Sequence, residues 1–210
     1  MDWISFADQK RARYAAAYGD LDERGLVRRG NVAYAAGLAL LMAYDGAAQD
    51  WLRCAAADWR SSWDAGAPPD AWGRPLGALK ASLLAGDDEA AGELARWTLD
   101  LGAEAAESAI GRYAATLALL AAGRDDDART LAARLRERDD FPEDVADALA
   151  AIAAADLAAY VEALCSVVAS FETRDAFLED VRVADTALVL HELARRRGLH
   201  APLPASDVLP

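Results

Sequence analysis

A helix stop followed at once by an acidic helix start occurs twice in mid-chain, and it limits the fold more than any other feature. Leu83-Leu84-Ala85-Gly86-Asp87-Asp88-Glu89-Ala90 ends one apolar helix and opens the next. Leu119-Leu120-Ala121-Ala122-Gly123-Arg124-Asp125-Asp126-Asp127-Ala128 does the same. Gly best tolerates the left-handed backbone that closes a helix. Asp accepts hydrogen bonds from the free N–H groups of the next helix and sits at the positive end of its dipole. Gly86 and Gly123 stand 37 positions apart, close to the length of a helix–turn–helix repeat. A fainter third copy is Ala151-Ile152-Ala153-Ala154-Ala155-Asp156-Leu157, with Asp156 as its cap. A chain punctuated this way stacks antiparallel helical hairpins.

The predicted fold is therefore all-α: about nine to ten helices, stacked as a tetratricopeptide-like α/α solenoid or an irregular bundle. The 210 residues are long enough for a sizeable core, and 54% of them are hydrophobic, with Ala prominent. One domain over 1–210 is expected, with N-terminal helices over 1–64, hairpin repeats over 76–198 and an extended tail over 199–210. Asp2 caps a first helix carrying Trp3, Ile4, Phe6, Tyr14 and Tyr18, ended by Gly19. Asp20 to Gly30 reads as a charged connection with room for a helical turn at Leu21-Asp22-Glu23-Arg24, and Asn31 as the cap of an apolar helix to Tyr44. The next helix, 48–64, carries Trp51, Trp59 and Trp63 on one i,i+4 stripe, a core pattern. Residues 65–75 hold three Pro and two Gly and form the longest loop. Trp72 within it is expected to be partly exposed. Helices are then predicted over 76–84, 87–101, 104–122 and 125–138. Three more follow: from the Asp140–Asp144 cap to 154, over 157–171, and over roughly 174–197, with a break near Arg182 left open.

Composition narrows the function. The net charge of −13 argues against a general nucleic-acid surface and permits attraction of a basic partner. Cys54 and Cys165 lie in apolar helical patterns and read as buried, reduced thiols rather than a disulfide or zinc pair. The start, Met1-Asp2-Trp3-Ile4, lacks the basic and apolar regions of a secretory signal, and no apolar run is long enough to cross a bilayer, so a cytoplasmic location is expected. His191 in Leu190-His191-Glu192-Leu193 lacks the second His that a metalloprotease helix needs four positions on, where Arg195 stands. No phosphate-cradling loop and no nucleophile elbow is present. No cofactor, metal site or catalytic residue is assigned. The carboxylates Glu172, Asp175, Glu179 and Asp180 cluster near the last helices and are the candidate partner-binding patch, with Trp72 as a candidate anchor.

The C-terminal segment runs Asp185-Thr186-Ala187-Leu188-Val189-Leu190-His191-Glu192-Leu193-Ala194-Arg195-Arg196-Arg197-Gly198-Leu199, then Leu203-Pro204-Ala205-Ser206-Asp207-Val208-Leu209-Pro210. It resembles the end of the immunity 49 family of bacterial polymorphic-toxin immunity proteins: an Asp opening an apolar helix, a Gly stop, and a short Ser-Asp/Glu-Tyr-Leu-Pro-like tail. Val208 stands where that pattern has an aromatic. The resemblance covers about the last 30 residues and implies a non-enzymatic protein that binds and blocks a cognate toxin, a basic nuclease being one fit to the acidic surface. It carries over no catalytic residue. Two other readings stay open. One is a helical-repeat scaffold or adaptor whose groove, lined with Tyr113, Tyr160 and arginines, holds a peptide or partner protein. The other is an all-helical enzyme, which would need carboxylates converging in a closed pocket or on a metal.

Overall fold

The computed structural model describes residues 1–17, 19 and 21–210. Their regular structure is helical throughout: α1 (Trp3–Ala16), α2 (Glu23–Met42), α3 (Ala48–Asp64), α4 (Gly73–Leu84), α5 (Asp88–Asp100), α6 (Ala109–Ala121), α7 (Asp125–Arg136), α8 (Glu143–Ala153), α9 (Leu157–Glu172) and α10 (Asp185–Arg195). Two 3₁₀ turns, Ala103–Ala105 and Leu178–Asp180, complete the list. Each helix from α1 to α9 packs on its sequence neighbours, as hairpins joined by short turns do. The helices α4, α6 and α8 also touch in sequence, forming an inner row. The last helix, α10, turns back and lies against α4, α8 and α9.

The repeated stop works as its sequence suggests, and occurs more often than expected. Gly86 and Gly123 are left-handed, with φ of 67° and 73°. Behind each, the following N–H reaches back to a carbonyl five residues upstream: Asp87 to Ser82 at 3.2 Å and Arg124 to Leu119 at 2.9 Å. This is the Schellman closure. The faint third copy has it too, with Asp156 bonded to Ala151 at 3.0 Å. There Ala155 carries the left-handed turn, at φ 54°. Tyr44 does the same at the α2–α3 junction, also at φ 54°. Asp87 and Asp156 then cap the next helices, accepting from the amides of Ala90 and Ala159, each at 3.1 Å.

Several boundaries differ from the sequence reading. Asn31 does not begin α2. Asp22 caps that helix by accepting from the Gly25 N–H at 2.7 Å, so residues 23–30 are its first two turns. Gly30 had suggested a break, yet it serves contact: a Cβ there would lie 3.0 Å from Trp59, and one at Gly77 of α4 would lie 2.9 Å from the same ring. Trp59 thus wedges between two glycines, and α2, α3 and α4 close around it. The helix predicted over 104–122 is a 3₁₀ turn and then α6, capped by Ser108. Its isolated Gly111 leaves room for Trp72. The helix α4 starts inside the Pro-rich stretch, with Pro75 in its first turn, where no N–H is required. The helix predicted over 174–197 exists only from Asp185; residues 173–184 cross the surface as an irregular strap. Tyr18, placed on the first helix, and Asp20 lie outside the described residues, and α1 ends at Ala16.

The core is one contiguous cluster reaching from Ala7 to Leu209. Trp59 is buried in it, Trp51 packs on its edge, and the half-buried Trp63 lies against Trp72 and Trp97, so the Trp stripe faces inward. The tail is docked: Val208 and Leu209 are buried, and the Val208 carbonyl accepts from the Ala184 N–H at 2.8 Å.

Ala155 holds a left-handed turn at the steric penalty of an L side chain. Ala155→Gly should therefore raise stability by about 0.5–1 kcal/mol, and Gly123→Ala should lower it by about 1 kcal/mol. Gly123 has open space around it, so strain alone is measured there. Urea unfolding midpoints of the two variants check the pair.

Candidate functional site

The structure treats the five predicted binding residues unequally. Trp72 is 8% exposed. It stacks 5.9 Å from Trp63 and is a core side chain, not a surface anchor. The Pro-rich stretch folds its ring inward because α6 offers the gap over Gly111. Glu179 is also engaged internally, accepting from Lys10 Nζ at 3.0 Å and from an Arg13 guanidinium N–H at 2.7 Å. Glu172, Asp175 and Asp180 do come together, around a shallow depression that Arg174 and Arg182 also line. The two arginines offset most of that negative charge. The groove imagined around Tyr113 and Tyr160 is absent: both rings are buried, and α10 lies over the inner row. Tyr160 sits 3.4 Å from His191 Nδ1, and burial lowers the His191 pKa.

A larger acidic groove lies elsewhere, between α7, α8 and α9, with a volume of about 830 Å³. Alanines 150, 151, 154, 159 and 163 line it. Its walls carry Glu143, Asp144, Asp147, Asp156 and Glu162. Arg136 pairs with Glu143 at 3.7 Å and with Asp147 at 3.0 Å. Arg129, the other cation, pairs with Asp126 at 2.8 Å. Among the described residues, no cation lies within ion-pair distance of Asp144, Asp156 or Glu162. Beside this groove the outer face of α9 shows an apolar i,i+4 row: Leu157, Val161 and Cys165, all exposed. Cys165 is therefore not the buried thiol that its apolar surroundings suggested, and Cys54 is only half-buried. The missed signal was the face of α9. Tyr160, Ala163, Leu164, Val167, Val168 and Phe171 fill its buried side, so the row 157–161–165 is left outside.

The third feature is a buried polar knot. Lys80 Nζ donates to Asp185 Oδ2 at 2.6 Å and to Thr186 Oγ1 at 3.2 Å, and the Tyr34 hydroxyl donates to the same Asp185 oxygen at 2.9 Å. Burial pushes the Tyr34 pKa well up, and Asp185 adds to it. Burial alone would lower Lys80; Asp185 outweighs it, and the ammonium is held charged. The Tyr113 hydroxyl, buried nearby, has no hydrogen-bond partner. Thr186 is its neighbour but lies outside bonding geometry. A cavity of about 490 Å³ opens on one side of the knot and a smaller one of about 230 Å³ on the other. Further out, Arg29 grips Asp58 with two bonds, at 2.9 and 2.5 Å. Burial, then Asp58, pushes the neighbouring Tyr14 up to about 12. Among the described residues no three or more His, Cys, Asp and Glu side chains are grouped to hold a metal.

No family model matches the chain, and comparisons with curated proteins and with solved structures give no match either.

Removing one partner of the knot leaves a buried charge exposed to low dielectric. Lys80→Met should cost about 3 kcal/mol by strong orphaning of Asp185, and Lys80→Met/Asp185→Leu should recover much of it. Thermal or urea unfolding of both variants measures the difference.

Proposed function

We propose that this chain works by binding another protein, and that it is an immunity-type inhibitor of a cognate toxin presenting a basic surface. The observation that carries this reading is the α7–α9 groove, lined by five carboxylates and a set of alanines, in which Asp144, Asp156 and Glu162 have no cation within ion-pair distance among the described residues. A concave site with a net negative charge draws in a basic partner and speeds association. The small lining residues let the partner's side chains approach the backbone closely. The apolar row of α9 beside the groove supplies the nonpolar contact that a stable interface needs at its centre. On this reading the interface lies away from the Glu172–Asp180 segment, where Glu179 is ion-paired and Arg174 and Arg182 stand among the other carboxylates. The role assigned is occlusion, with no catalytic residue and no cofactor.

A helical scaffold or adaptor is the second reading, favoured by the same apolar row, which suits a partner helix. In that case the partner would sit on the outer face of α9, because α10 covers the inner row. Among the described residues no helix is long and apolar enough to cross a membrane. Two free thiols suit a reducing compartment, and the cytoplasm is the proposed location.

Capture of the products of the flanking genes by the purified chain, at low and high salt, tests the inhibitor reading. A toxin-like neighbour should be retained and released as salt rises. Asp144→Lys/Glu162→Lys should weaken that capture by about tenfold or more, chiefly through slower association. Capture that survives this charge reversal would remove the groove from the interface. Failure of both neighbours to bind would leave the scaffold reading.

A further inference from the structure

The cavity of about 490 Å³ between α2, α4 and the start of α10 lies within the size range of small-molecule sites, roughly 300–1,000 Å³. Its walls are mainly apolar: Trp59, Tyr34, Val27 and Leu76. Its lips are Ile110 and Leu178, which are 45% and 48% exposed and have nothing over them. Its polar floor is the Lys80–Asp185 pair. A buried ion pair is often replaceable by apolar residues with no loss of stability, so its place beside an apolar cavity asks for another role.

The donors and acceptors at that floor are unequally used. Lys80 offers three N–H bonds and spends two, on Asp185 and Thr186. Asn31 accepts from Trp59 Nε1 through its Oδ1 at 3.1 Å, which turns its own amide N–H pair to spare. The Asp185 Oδ2 already accepts twice, from Lys80 and Tyr34, and its Oδ1 accepts from Thr186 at 3.4 Å. Lys80 and Asn31 keep N–H groups to spare. The charges cancel in pairs, Lys80 with Asp185 and Arg74 with Glu23, so an ion entering the cavity would meet no net opposite charge.

We infer that this cavity binds a small, neutral and largely apolar molecule whose carbonyl-type acceptor is held by Lys80 Nζ and the Asn31 amide. Val27, Leu76, Ile110 and Leu178 supply the apolar contact, with the buried Trp59 and Tyr34 behind them. The strap sets the outer lip. Glu179 and Asp180 are both left-handed, with φ of 53° and 61°, a costly state for two successive residues with side chains. The ion pairs of Glu179 with Lys10 and Arg13 hold that strained turn in place, and with it Leu178 over the cavity.

Prodan, a neutral naphthalene ketone whose emission moves to shorter wavelength out of water, is the probe. Titration of the full chain should give a saturable shift with a dissociation constant on the order of 10 µM. Val27→Trp, which fills the cavity, and Ile110→Glu, at its exposed lip, should each weaken binding at least tenfold. Leu157→Lys/Val161→Lys, on the apolar row of α9, should leave it unchanged. Circular dichroism confirms that each variant is folded, and the exposed Ile110 position serves if Val27→Trp is not. No saturable shift, a shift that persists in a folded cavity variant, or one lost with the α9 variant would each overturn the assignment.

Discussion

The contact between Lys80 and Asp185 joins parts of the molecule that the hairpin repeat alone would leave apart. Asp185 opens α10, Lys80 stands on α4 and Tyr34 on α2, so one carboxylate oxygen fixes the start of the last helix against two earlier ones. Its salt link is short and mostly shielded from water, so the charges are valuable only as a set: together they are tolerated, singly they are costly. A second tie sits at the other end of α10. Arg197 donates to Asp125 at 3.0 Å and to the Leu120 carbonyl at 2.5 Å, so the C-terminal end of the helix is pinned where α6 gives way to α7. Between the two ties α10 buries Leu188, Val189, Leu190 and Leu193 against the inner row.

Small residues make this arrangement possible. Alanines line many of the helix contacts, and at three points even a methyl is too large: Gly37 would strike Leu52, Gly77 would strike Trp59, and Gly111 would strike Ala106 and Trp72. Large rings then fill the spaces that small residues leave. The result is a close stack with few large aliphatics per helix. That leaves little apolar surplus, and the uncovered row on α9 is conspicuous for the same reason. A terminal repeat ordinarily shows a polar outer face.

Much of the fold was legible because the hairpin turns are local. Gly86 and Gly123 specify their own conformation, and Asp87 and Asp156 specify the helix starts that follow. The errors came where distant packing overrides local signs. Gly30 and Asn31 look like a helix boundary until Trp59 arrives from α3 to use both. Trp72 looks like a loop tip until α6 presents Gly111. The stretch 173–184 has helical composition, yet Glu179 is drawn away by Lys10 and Arg13 of α1, over 160 positions earlier in the chain. The site was less legible. A cluster of carboxylates in sequence says nothing of which arginines will stand among them, and Arg174 and Arg182 offset the cluster that looked most acidic. The α7–α9 groove, by contrast, draws its charges from two helices and its alanine lining from the faces between them.

The strand of connections through α10 also changes how the molecule can come apart. Hairpins that touch only their neighbours unravel from the ends, one unit at a time. Here the link from Lys80 to Asp185 spans 105 positions, and the tail after α10 returns to close on Ala184. The middle of the stack cannot loosen without releasing its last helix, and the last helix cannot lift without opening the middle. Such a chain folds late and melts as a unit: the repeat supplies the parts, and a single returning helix makes them cooperative.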